Sequence, residues 1–262
     1  KNLKILIISV LTIIFFINLY LVSEVNYLFY HNFVEFFSIV IAFVIFTIAW
    51  NTREHNENNY LIFLGSAYLF IGIIDFVHSL SYKGMGVFNF QTANVPTQLW
   101  ISARYLEASS LLIAPLLLGI KKLNIKKSII VYSIVTFFVL VSIFYLDIFP
   151  TTYIQGEGLT TFKIASEYII SLLLIISVYL LYLKRDHFQR NILYLITGAI
   201  IFTIFAELSF TMYISVYGLS NFIGHIFKLV SFYLIYRALV LTTMKRPTEV
   251  LYKELKNTKD EL

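Results

Sequence analysis

Apolar residues fall in eight long blocks, at about residues 3–22, 33–50, 60–81, 98–120, 128–149, 163–183, 191–215 and 221–244, separated by short polar connections. A hydrocarbon core of roughly 30 Å takes about 20 residues of α-helix. Inside the blocks the apolar residues are contiguous rather than alternating, so the period-2 pattern of a membrane β-barrel strand is missing. Backbone amides and carbonyls in lipid must bond within their own segment, which makes runs of this kind helices. The pattern predicts an all-α, polytopic membrane protein with eight transmembrane helices in one bundle.

Composition agrees with that class. Of 262 residues, 59% are hydrophobic, 18% aromatic and 13% charged, against about 25% charged in soluble domains. There is no cysteine, which excludes disulfides and thiolate metal sites. The first block follows Lys1 and Lys4 at once, exceeds the core of a signal peptide and lacks a small-residue cleavage pattern, so a retained first helix is expected.

Lysine and arginine set the expected orientation. With the N-terminus inside, the cytoplasmic segments hold twelve cations: Lys1, Lys4, Arg53, Lys121, Lys122, Lys126, Lys127, Lys184, Arg185, Arg190, Lys245 and Arg246. The outer connections hold two, Lys83 and Lys163. Such a bias places both termini in the cytoplasm. The net charge of +5 is therefore mainly a topological signal, and it gives no support to nucleic-acid binding. The chain divides into the membrane domain, 1–244, and the start of a cytoplasmic signalling helix or linker, 245–262, where Leu251, Leu255 and Leu262 suit a coiled-coil seam. A homodimer is expected if that helix continues as a two-stranded coil.

Ionisable groups inside the blocks change the picture. Asp75, His78, Arg104, Glu107, Glu167, Glu207, His225 and Lys228 all fall in the extracytoplasmic half of their spans. Buried charge in a bilayer is costly and faces a bundle interior or a wet cavity. Asp75 and His78, Arg104 and Glu107, and His225 and Lys228 are each three residues apart and so share a helix face. These groups are expected to meet in one polar pocket opening outward; the plainer alternative is a set of salt bridges that only fixes helix register. The connection with Gly84, Gly86, Phe88 and Phe90 reads as an aromatic lid over it.

The stretches "DFVHSLSYKGMGVF", "ANVPTQLWISARYLEASSLLIAPLLL", "FKIASEY" and "AELSFTMYISVYGLSNFIGHIFKLVSFYLIYRAL" resemble the third type of bacterial membrane-associated sensor domain, abbreviated MASE, over roughly residues 5–240. The resemblance implies an eight-helix input module in the bacterial cytoplasmic membrane, placed ahead of PAS, histidine kinase or diguanylate cyclase domains, as in two-component signalling. Any enzymatic output would then lie beyond Leu262. Among the motif residues it carries over position by position, Asp75, His78, Tyr82, Lys83, Trp100, Arg104, Glu107, Glu207, Tyr213, Asn221, His225 and Lys228 are the expected ligand-binding residues.

The signal stays open at this point. His78, His225 and Glu207 would supply nitrogen and oxygen ligands to a transition metal, and two histidines on different helices would also bracket a haem. Arg104, Lys83 and Lys228 would instead hold an anionic small molecule, and the histidines and carboxylates would sense protons. The competing function is a small-molecule or ion transporter. An enzyme ranks last, because neither "HExxH" nor "GxSxG" occurs.

Overall fold

The structure is a computed structural model that describes residues 2–54, 58–88, 92–118, 123–211 and 218–245. It contains eight α-helices: α1 (Asn2–Val25), α2 (Tyr27–Thr52), α3 (Asn59–Ser81), α4 (Asn94–Ile113), α5 (Ile125–Phe144), α6 (Thr161–Leu183), α7 (Arg190–Thr211) and α8 (Leu219–Val240). Six of them, α2, α3, α5, α6, α7 and α8, are long and apolar enough to cross a membrane, and the protein is polytopic. α1 offers only the shorter apolar stretch Val10–Val25. In α4 the polar residues Gln98, Ser102, Arg104, Glu107 and Ser110 dilute the apolar run.

Helix ends differ from the blocks where local chemistry intervenes. Asn26, Asn58, Asn124 and Thr160 cap α2, α3, α5 and α6, each side chain accepting from a backbone amide in the first turn. The fourth block stops short of residue 120, because Pro115 has no amide proton to continue the helix; the chain tightens into a 3₁₀ turn, Ala114–Leu117. After α5 comes a short hairpin that the hydropathy pattern did not foresee, β1 (Tyr153–Ile154) paired antiparallel with β2 (Gly158–Leu159). Its turn needs Gly156 and Gly158, with φ of 92° and 94°. α8 runs into a π-helical turn, Leu241–Lys245; the coiled-coil positions predicted after it lie outside the described residues.

The helices are not equivalent. α2, α3, α4, α6, α7 and α8 form a closed ring in which each packs against the next and α8 returns to α2. α1 packs chiefly on the outside of α2, and α5 on the outside of α3. The most apolar part of α3 is 72% buried, that of α5 only 17%, which separates a core helix from a lipid-facing one.

Small residues set the closest approach. A Cβ on Gly65 of α3 would stand 2.0 Å from Cβ of Ala49 on α2, and one on Gly72 would stand 3.1 Å from Cβ of Ala42. These pairs recur seven residues apart on both helices, so the two backbones lie almost in contact, as small-residue stripes allow in lipid. Between helices, Thr203 and Ser231 hydroxyls bond at 2.7 Å across α7 and α8, and Ser177 donates to the Leu111 carbonyl at 2.7 Å across α6 and α4. The end of the bundle bearing the α1–α2, α3–α4, α5–α6 and α7–α8 connections is called the upper end below.

Candidate functional site

Among the described residues every helix of the ring, and neither peripheral helix, sends acidic, basic or histidine side chains into one buried cluster that runs from the upper part of the bundle to its middle. α2 contributes His31 and Glu35, α3 Asp75 and His78, α4 Arg104 and Glu107, α6 Lys163 and Glu167, α7 Glu207, and α8 His225 and Lys228. All eleven are buried.

Arg104 is the first hub. Its Nη2 donates to both carboxylate oxygens of Asp75, at 2.9 and 2.8 Å, while Nη1 bonds Glu107. Glu107 also accepts from the Tyr68 hydroxyl at 2.9 Å. The planar guanidinium reaches three carboxylate oxygens from two separate nitrogens, a fork that the single nitrogen of an ammonium lacks. Lys228 is the second hub. Its Nζ lies 2.7 Å from Glu35 and 3.0 Å from Asp75, tying α8 to α2 and α3. Both cations also lie over aromatic faces: Arg104 and Lys228 are 4.9 and 4.7 Å from the Trp100 ring centre.

A separate branch lies on α6 and α7. Lys163 is 2.5 Å from Glu167 and donates to the Phe210 carbonyl at 2.7 Å. Thr160 caps α6 so early that Lys163 falls within the first turn and points inward, not into an outer connection as expected from sequence. Glu207 lies against Glu167 rather than joining the histidines.

Three histidines form the upper part of the cluster. The His31 ring lies 5.4 Å from that of His78 and 4.8 Å from that of His225. His78 Nδ1 donates to the Pro96 carbonyl at 2.7 Å, and His225 Nδ1 lies 3.0 Å from Glu35. Around them is a cavity of about 30 Å³ lined by His31, His78, Tyr82, Trp100, Asn221 and His225 among others. That space holds one or two waters or a single ion. A porphyrin, far larger, has no room in it.

The residues proposed from sequence thus divide. Asp75, His78, Arg104, Glu107, His225 and Lys228 come together, and Tyr82, Trp100 and Asn221 line the cavity beside them. Lys83 is exposed on the upper connection. Tyr213 lies outside the described residues. Phe88 packs on Phe144 of α5 with ring centres 5.7 Å apart, which sets it on the flank of the bundle.

His31 and Glu35 were missed. The second apolar block begins at residue 33, which places His31 in a connection and Glu35 at the edge of the run. An imidazole and a carboxylate four residues apart on one face of a greasy helix were the available signal. The histidine and carboxylate atoms that approach with metal-ligand spacing belong to His31, Glu35 and His78, all within 4.8 Å of one another. Glu35 takes the place expected for Glu207 because α2 lies between α3 and α8, whereas Glu207 faces α6.

A polytopic bundle whose interior is ionic, with a histidine–carboxylate group able to hold a metal ion, is the class defined by this geometry. Over residues 22–247 the chain matches the membrane-associated sensor domain family MASE3, and it belongs to that family. It is a membrane sensor input module. The match begins near the end of α1, so the first helix lies mostly outside it. No curated protein and no solved structure matches the chain.

Proposed function

We propose that the chain spans a bacterial cytoplasmic membrane eight times, with both termini inside. In this reading it binds a small stimulus in the upper, extracytoplasmic half and relays a change in α8 to an output domain joined through the segment that follows it. α4 and α1 cross with the six strongly apolar helices, α4 tolerating its charges because the ring buries them. Residues 1–244 act as the sensor and 245–262 begin a signalling helix, which brings two copies together as a homodimer.

One observation carries this reading: Lys228, on the helix that leaves the bundle toward the tail, is held jointly by Glu35 of α2 and Asp75 of α3. A stimulus that alters this contact acts on α8 directly, and it shifts the equilibrium only by its unequal affinity for the two arrangements. Transport is less well supported. All six buried ion pairs among the described residues lie in the upper half and its middle, leaving no matching polar path below.

The absence of cysteine makes the test direct. Nitroxides on Asn51→Cys and Arg237→Cys, exposed positions at the lower ends of α2 and α8, report the distance between those helices. Lys228→Met is expected to shift or broaden that distance in a folded protein. An unchanged distribution would reject the relay.

A further inference from the structure

His78 is held as a metal ligand is held. A carbonyl oxygen only accepts, so the 2.7 Å contact with Pro96 places the proton on Nδ1 and leaves Nε2 with its lone pair exposed to a partner. That Nε2 is buried and meets none among the described residues. Anchoring one imidazole nitrogen to a backbone carbonyl while the other stays bare is the usual support of a metal-binding histidine.

His31 makes the case stronger. It is wholly buried, it lines the same cavity, and neither ring nitrogen has a hydrogen-bond partner among the described residues. An imidazole always carries at least one N–H, and native interiors rarely leave such groups unmatched. Three unmatched ring nitrogens on two neighbouring residues, beside a cavity the size of an ion, point to a missing partner shared by both.

Charge says of what sign. The cluster holds five carboxyl groups, Glu35, Asp75, Glu107, Glu167 and Glu207, and three cations, Arg104, Lys163 and Lys228. Carboxyl groups thus outnumber cations by two, and that excess favours a cation, although Lys228 stands close by.

We propose that His31, Glu35 and His78 bind a divalent first-row transition-metal ion, and that this ion competes with His225 and Lys228 of α8 for the Glu35 carboxylate. Two imidazole nitrogens and one carboxylate oxygen suit zinc and its neighbours, whereas magnesium and calcium take oxygen ligands. Metal bonds of about 2.0–2.2 Å require the three ligands to draw together from their spacing of up to 4.8 Å. Glu35 now has His225 at 3.0 Å on one oxygen and Lys228 at 2.7 Å on the other. Turning toward the histidines weakens at least one of these, and Lys228 keeps Asp75. The ion thereby loosens α8 from α2. This deepens the sensing function proposed above and rests on that reading for the link to α8; binding itself is measured independently of it.

The test uses the full chain in lipid nanodiscs, stripped with chelator and dialysed against Zn²⁺ or Co²⁺, with excess Mg²⁺ as competitor. Elemental analysis is expected to find about one transition-metal ion per chain, undisturbed by Mg²⁺. His31→Gln and His78→Gln should each weaken binding about 10–100-fold, while His187→Ala, an exposed histidine elsewhere, leaves it unchanged. Melting and gel filtration establish that each variant is folded. Substoichiometric metal in the wild-type chain, or full retention in the folded His31→Gln/His78→Gln double variant, overturns the site. Adding Zn²⁺ to the chain labelled at positions 51 and 237 should shift the α2–α8 distance. If Lys228→Met shifts that distance and bound Zn²⁺ does not, the relay stands and the competition for Glu35 is wrong.

Discussion

His31 stacks on Tyr82 with ring centres 3.8 Å apart, while neither of its nitrogens has a hydrogen-bonding partner among the described residues. The position is shaped for an aromatic ring and pays nothing back for its polar atoms. His31→Phe should therefore leave the metal-free protein as stable or more stable by about 1 kcal/mol, even though it removes a proposed ligand. Thermal melting in detergent after chelator treatment checks this; a large loss of stability would mean that the imidazole is structural.

Lys228 presents the opposite case. Removing its ammonium leaves Glu35 and Asp75 facing each other's surroundings with less compensation, and a broken buried pair typically costs about 3–5 kcal/mol. Lys228→Met should melt well below the wild type, and adding Glu35→Gln should recover part of the difference. A double-mutant cycle on the two positions gives the coupling; simple additivity would contradict the pairing.

At Arg104 the shape of the group matters as well as its charge. Lysine keeps the cation but cannot span Asp75 and Glu107 together, so Arg104→Lys is expected to lose about 1–3 kcal/mol. Equal melting curves for the two proteins would show that the fork geometry is dispensable.

The approach of α2 and α3 predicts a size effect in a place with no polar atoms. Gly65→Ala puts a methyl 2.0 Å from Cβ of Ala49, and overpacking of this sort costs about 1–3 kcal/mol. Ala49→Gly in the same chain should restore stability. Failure of that rescue would locate the damage in the helix backbone instead.

Orientation is open to a chemical check. Cysteines placed at Lys83 and at Lys126, both exposed and at opposite ends of the bundle, should react with an impermeant maleimide from opposite sides of sealed membranes. Labelling of both from one side would reverse or break the proposed topology.

Much of the architecture was legible in the apolar blocks, because lipid leaves a chain few alternatives to helices. Which helices form the interior was not legible from hydropathy, since α3 and α5 are both greasy and only one is central. Charge carried that information: α5 has no acidic, basic or histidine side chain between Lys127 and Phe144, and it lies outside the ring, whereas every ring helix buries at least one. Asp75, Arg104, Glu107, His225 and Lys228 were found because each interrupts an apolar run. His31 and Glu35 escaped because they sit close to the start of theirs, where a polar residue looks like part of the connection. Pairing across the ring, such as Glu207 with Glu167, depends on helix neighbours that spacing along the chain does not encode.

The glycines at 65 and 72 decide what in this bundle is able to move. With α2 and α3 locked backbone to backbone at two positions one heptad apart, the backbones that carry Glu35 and His31 on one and His78 on the other keep their spacing, and only side-chain rotation draws these groups together. A stimulus arriving there turns side chains within a rigid backbone frame, and the backbone response is left to the helix facing it.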